Sequence, residues 1–490
     1  MKRNNFNLSY NRKMSGNMGK LIPIGWQEVI PGDILSMKST AFIRTAPLAY
    51  PVMHPVHVRV GHFFVPNNIM WDDFYDFISG GDDGNDSTAH PTINFSGGIS
   101  VGSLADKLGI DPDVNYAMNA LPFRAYGLIH NHFFRDKDLQ TELTVSKGNG
   151  NDTTTNTTLQ SVCWQKDRFT VARPWEQKGD DVLLPLGSTA PIESDGTQPT
   201  YQGQSSSTTG GLQASSGGDL GLSNGGSFTL NEALHPVNTG LRANVSNLSS
   251  ATINLLRAAW SEQKFKERRA LFGNDYPDYV AASFGTIVPD HRVRRPEYLG
   301  GSKDTIQFSE VVQTGVDSTD AGVGNLKGYG SGAATGRPFI KHFSEHGIVM
   351  SCMWVRPVAV YAQSQKKGWF RTTKEDYFQP EYANIGQQTI YNKEVMGGHT
   401  TPEGIHGYGQ PYDDYRYNES EIAGKYRTDL DHTHLARKFA SDTALNSSFV
   451  TCDPSSRVFA DQNAEQLEMT INHSIVAKRK IPKMARQILL

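Results

Sequence analysis

The strongest constraint on the fold is a two-residue apolar period near both ends of the chain. In "HPVHVRVGHFFVP", Val56, Val58 and Val60 share one face of an extended segment while His57 and Arg59 take the other. Near the C-terminus, "EQLEMTINHSIVAK" sets Leu467, Met469, Ile471 and Ile475 opposite Glu468, Thr470, Asn472 and Ser474. Both read as half-buried antiparallel strands. A third segment, "HGIVMSCMWVRPVAVYAQ", is apolar on both faces and reads as a buried central strand up to Arg356-Pro357. There proline, which lacks an amide hydrogen, interrupts the ladder.

Helical signals are few and short. "WDDFYDFISGG" has Trp71, Phe74 and Ile78 at helical spacing, early acids and a glycine pair as its stop. "LPFRAYGLIHNHFFRD" places Pro122 in a first turn and aligns Tyr126, Ile129 and Phe133. The longest candidate covers 252–272, with Ile253, Leu256 and Trp260 as its stripe and Gly273 at its end. None joins two strands at βαβ distance, so a parallel α/β sheet is not expected. With 47 glycines, 24 prolines and a mean hydropathy of −0.47, the chain reads as loop-rich and mainly β. Two low-complexity stretches, about 141–161 and 187–227, have too few apolar side chains to offset the entropy of ordering. They read as surface loops projecting from a β scaffold; for 187–227 a domain linker is the alternative.

Several functional classes find no support. The three cysteines, Cys163, Cys352 and Cys452, are far apart and odd in number, so neither a disulfide framework nor a CxxC metal site is expected. No apolar run approaches the roughly 18 residues of a membrane span. No GxxxxGK[ST] or HExxH occurs, and Ser261 and Lys264 have S-x-x-K spacing without the motifs that accompany it in enzymes. No internal repeat suggests a fibre.

Charge is segregated. The chain has 47 Lys and Arg against 50 Asp and Glu, yet the first 27 residues hold Lys2, Arg3, Arg12, Lys13 and Lys20 with no acid. The tail 477–490 holds Lys478, Arg479, Lys480, Lys483 and Arg486, again with no acid. Without these ten the body counts 37 against 50, a formal charge of −13. Such a pattern suits a self-repelling acidic body with a localised grip on a polyanion; solvated tails are the plainer alternative. Arg292, Arg294 and Arg295 cluster in "DHRVRRPEYLGG", fit for an interface ion pair or a phosphate fork. His432 and His434, beside Asp431, could face a divalent cation from one strand or serve as structural histidines. No other cofactor is indicated.

Seven segments in register resemble the major capsid protein of microviruses, the small single-stranded-DNA phages, nearest the gokushovirus type. They are "GKLIPIGWQEVIPGDILSMKS" (19–39), "FFVPNNIMWDDFYDFISGG" (63–81), "LPFRAYGLIHNHFFRD" (121–136), "RRPEYLGG" (294–301), "FSEHGIVMSCMWVRP" (343–357), "FQPEYANIGQQ" (378–388) and "GYGQPYDDYRY" (407–417). The resemblance implies an all-β, eight-stranded antiparallel jelly roll of the viral capsid type, with long insertions, a few short helices and no enzymatic activity. In domain terms it implies a basic arm 1–27 and one jelly-roll domain 28–490 ending in the basic tail. It further implies pentamers that build a sixty-copy icosahedral shell around circular single-stranded DNA, made in the bacterial cytoplasm and found in the virion. A small basic packaging peptide, a minor or pilot capsid protein and the host cell surface are the other implied partners. Ten cations per copy fall short of the order of tens of phosphates that each subunit of such a shell must neutralise, which agrees with a separate basic peptide. The basic termini are expected on DNA phosphates and the 187–227 loop on the host. A carbohydrate-binding or carbohydrate-active jelly-roll protein of a phage is the alternative, needing paired carboxylates or an aromatic platform.

Overall fold

The computed structural model describes residues 3–182, 192–194, 200–203, 209–214, 220–222, 234–238, 241–243, 253–273, 275–312 and 326–483. The main sheet is built from β1 (Asn4–Asn7), β2 (Tyr10–Gly16), β3 (Ile22–Val29), β4 (Ile34–Thr45), β5 (Val56–Pro66), β6 (Glu297–Val312), β7 (Leu326–Thr335), β8 (Phe339–His342), β9 (Gly347–Pro357) and β10 (Leu467–Arg479). Their order is β1-β10-β4-β7-β6-β5-β9-β3, with β2 also on β10 and β8 also on β4, and every pairing is antiparallel.

β6 lets this sheet fold over itself. Its residues 297–306 pair with β5 and its residues 307–312 with β7. The early part carries a register shift between Tyr298 and Gly300, and Gly300 sits at φ 133°, a value that disfavours any side chain. Two layers result, and their inner faces share a core. Ile43 of β4 and Met469 and Ile471 of β10 lie in one buried cluster with Val56, Val58 and Val60 of β5 and Met353 and Val355 of β9. This is an antiparallel sandwich consistent with the jelly roll that the resemblance implied, and β10 follows the burial expected from its alternation residue by residue.

The two outer faces differ. That of β5 and β9 is covered by α1 (Asn67–Met70), α2 (Phe74–Ser79), α3 (Leu104–Leu108) and α4 (Leu121–Ile129). Trp71, Phe74, Leu104, Phe123 and Tyr126 from these segments pack on Phe63, Met350 and Trp354. β9 is thereby buried on both sides, as its sequence predicts. The outer face of β4 and β10 has no such cover: Phe42, Arg44, Thr470, Asn472, Ser474 and Lys478 are all exposed.

Three expectations need correction. Among the described residues the sheet holds ten strands where eight were expected, because most of the basic arm 1–27 is sheet: β1 and β2 pair with β10 and the arm runs into β3. Phe6, Leu8, Tyr10 and Met14 supply the alternation that seats them. The 141–161 stretch is anchored by polar contacts together with Val145 and Leu159, which pack against the core. Asp152, whose side chain is wholly buried, accepts from the Thr154 and Thr155 amides and from Arg124 Nε at 2.9 Å. The 187–227 stretch contains strands Ile192–Ser194, Thr200–Gly203, Thr209–Ala214 and Leu220–Leu222, since backbone pairing does not require apolar side chains. The rest of that stretch lies outside the described residues. Residues 179–266 form a compact unit of their own, with sheet order Leu220–Leu222, Thr209–Ala214, Thr200–Gly203, Leu234–Asn238. The expected long helix spans Ile253–Leu271, and its stripe of Ile253, Leu256 and Trp260 is exposed.

Candidate nucleic-acid interface

The uncovered face brings the two basic ends of the chain together. β1 and β2 run antiparallel to β10, with Asn5 opposite Lys478 and Lys13 opposite Thr470. On the other side of β10, Lys38 of β4 lies opposite Ser474 and Arg44 opposite Glu468. In a strand, alternate residues share a face. The outward set on β2, β10 and β4 therefore includes Lys13, Lys38, Arg44 and Lys478 against a single acid, Glu468. Arg44 Nε donates to Glu468 Oε2 at 3.0 Å, and with both side chains more than half exposed that pair contributes under about 1 kcal/mol. Net positive charge on this face contrasts with the acidic body and suits phosphate contacts that do not read sequence.

The ten terminal cations divide by what they touch. Lys13, Lys478, Lys480 and Lys483 are exposed, and no ion pair engages them among the described residues. Arg3 is exposed and donates Nε to Gly32 O at 2.8 Å. Arg12, Lys20 and Arg479 are turned into the protein. Arg12 donates to Lys107 O at 2.7 Å, and burial lowers its pKa despite the nearby charge of Asp106. Lys20 Nζ donates to Ser161 Oγ at 2.8 Å. Arg479 Nε lies 3.0 Å from Asp33 Oδ2, whose side chain is fully buried. Lys2 and Arg486 lie outside the described residues.

The arginine cluster does not converge. Arg295 is paired with Asp290 at 2.7 Å, while Arg292 is exposed. Arg294, in the left-handed region at φ 50°, lines a cleft of about 430 Å³ together with His132, Glu142 and Lys147. The histidine pair is also spent on other contacts. His434 Nε2 meets Tyr426 O at 2.8 Å and its Nδ1 accepts from the Ala436 amide at 3.1 Å. The His432 ring lies 4.1 Å from that of Tyr50, and Asp431 holds Lys438 at 2.8 Å. With both nitrogens of His434 occupied, the divalent-cation geometry anticipated for these three is not formed. Among the described residues no group of three His, Cys, Asp or Glu is placed to hold a metal ion. The cysteines are all free and buried, and burial pushes the Cys452 thiol up to about 12.

Lys38 and Arg44 belong to none of the cationic clusters visible in the sequence, which are the two chain ends and Arg292, Arg294 and Arg295. Alternation in "ILSMKSTAFIRT" carries the missing signal, since Leu35, Met37, Ala41 and Ile43 point inward and place both cations outside.

Comparison with known proteins gives the chain its relatives. The phage capsid protein family described as "Capsid protein (F protein)" matches residues 1–489. The capsid protein VP1 of Bdellovibrio phage phiMH2K is 36% identical, over 91% of this chain and 87% of that protein. Those of Chlamydia phage 1 and Spiroplasma virus 4 are 29% and 28% identical, over 92% and 95% of this chain and 89% and 91% of theirs. Full-length agreement with three microvirus proteins, on an antiparallel sandwich, establishes that this chain belongs to the F-protein capsid family as a structural major capsid protein of a microvirus, not an enzyme.

Proposed function

We propose that the uncovered face of β2, β10 and β4 is the inner wall of the shell, and that Lys13, Lys38, Lys478, Lys480 and Lys483 contact phosphates of the packaged single-stranded DNA. The observation that carries this reading is the outward set of four cations against one acid, on a layer that no helix covers among the described residues. The opposite layer, under α1–α4, then faces outward. Arg12, Lys20 and Arg479 keep their protein contacts and hold the termini in place.

As a capsid protein of the virion the chain assembles with copies of itself around the viral genome. The finer arrangement we propose is a sixty-copy shell built from pentamers and formed in the host cytoplasm. A small basic peptide supplies the remaining neutralising charge, and a minor or pilot protein completes the particle. Among the described residues no strand pairs with the outer side of edge strand β1, which suits pairing or cover by a neighbouring copy. The unit 179–266, an insertion in chain order, suits a host-contact role.

Replacing Lys13, Lys38 and Lys478 together by Gln tests the inner-wall reading. Particles should still form but contain less DNA, and the logarithmic salt dependence of single-strand binding should flatten by roughly 2 for three lost contacts. Normal DNA content and an unchanged slope would reject it.

A further inference from the structure

Phe42 is an exposed aromatic ring on the uncovered face, where Tyr329, Ile340 and Val476 are exposed too. It is 55% exposed, although it sits mid-strand in β4 with β10 on one side and β7 on the other. Its cross-strand partners are Thr470 and Ala333, both small, and its neighbour Arg44 is held by Glu468. Among the described residues, neither cross-strand partner is large enough to cover the ring. An aromatic ring left in water forfeits the burial that its size would otherwise contribute.

Register places cations around it. Lys13 lies in the same cross-strand row, beyond Thr470, two strand spacings or about 10 Å away. Lys38 lies four residues back along β4 on the same face, about 14 Å away. An aromatic face flanked by unpaired cations on an open surface matches what proteins present to single-stranded nucleic acid. Bases stack on the ring while the backbone follows the charge, and a duplex would hide those base faces. A second copy of the chain seated here would instead have to bury Lys13 and Lys38, and the acid at hand, Glu468, is already engaged by Arg44.

We propose that Phe42 is a stacking platform for an unpaired base of the packaged DNA, with Lys13 and Lys38 on phosphates to either side. This rests on the inner-wall reading above and adds to it a contact with the base. The site is tolerant of sequence, because every base has a π face and no donor or acceptor on Phe42 selects among them.

The test uses the purified full-length chain, a labelled oligodeoxythymidine and an abasic strand of the same length, titrated with salt. Phe42→Leu should bind oligodeoxythymidine about tenfold more weakly, with an unchanged salt slope and unchanged affinity for the abasic strand. Phe42→Trp should restore binding, and a melting temperature of Phe42→Leu equal to that of the parent chain shows that the fold is intact. Lys13→Gln with Lys38→Gln should weaken both strands and flatten the slope. If Phe42→Leu binds oligodeoxythymidine as the parent does while the lysine variants keep their effect, stacking is overturned and the inner wall stands. If the lysine variants also match the parent, the inner wall itself falls. Reduced particle yield from Phe42→Leu at unchanged DNA affinity would assign the ring to a contact between copies and overturn the proposal.

Discussion

Arg124 and Asp152 form an ion pair at 2.9 Å in which both side chains have no solvent exposure. Arg124 sits on α4 and also donates to Met70 O and Gly148 O, so one guanidinium ties α4, the end of α1 and the polar 141–161 loop together. Desolvation lowers the Arg124 pKa, while hydrogen bonds from Thr155 and Arg124 lower that of Asp152 despite its burial. Breaking one side of such a pair strands the other charge. Asp152→Ala should cost about 3–5 kcal/mol, read as a large drop in melting temperature, and Asp152→Asn, which keeps an acceptor, should cost less. Equal melting temperatures for both variants and the parent would show that the loop does not depend on this contact.

The terminal cations should separate into two phenotypes. Arg479→Gln removes the partner of a buried Asp33 and should lower the melting temperature with little effect on the salt slope of DNA binding. Lys478→Gln, one residue earlier and exposed, should leave stability within about 0.5 kcal/mol and flatten that slope by about 0.7. A thermal melt and a salt titration of the two variants check the division, and identical behaviour would contradict it.

Acid should weaken the fold in a defined window. Burial holds His62, His54 and His406 down at about 4, below the ordinary value of 6.5. Above 6.5 these groups are neutral whether folded or unfolded. As pH falls from 6.5 toward 4 the unfolded chain takes up protons that the folded chain refuses, so stability present above 6.5 is lost, on the order of 3 kcal/mol per group by pH 4. His62→Gln, which can keep a hydrogen bond to Ser351 Oγ, should make the decline of melting temperature less steep. A melting temperature independent of pH across that window would exclude the mechanism.

Gly301 tests the strand crossing. A Cβ there would stand 2.0 Å from the Val60 carbonyl oxygen, and a backbone atom cannot rotate away. Gly301→Ala should cost about 1–3 kcal/mol and reduce the yield of folded protein, whereas Gly98→Ala, with open space around the Cβ but a positive φ, should cost less. A matching melt of the two variants would argue against the clash.

Sequence by itself determined which way residues face. The alternation of β4, β5 and β10, the doubly buried β9 and the sparse helices were readable because strand periodicity is local, requiring only that one face be apolar. The seven motifs identified the capsid family for the same reason: each is a contiguous string. What no local pattern contains is adjacency. That Asn4 meets Arg479, that helices cover β5 and β9 while leaving β4 and β10 bare, and that Arg12 and Arg479 point into the protein beside exposed Lys13 and Lys478 follow from pairings between strands far apart in the chain. Cations counted as one class in the sequence therefore fall into two among the eight that are described, because the acceptor that engages each is chosen by tertiary packing. The polar loop 141–161 shows the same limit, since Arg124, Asn131 and Tyr126, which hold it, are residues outside it.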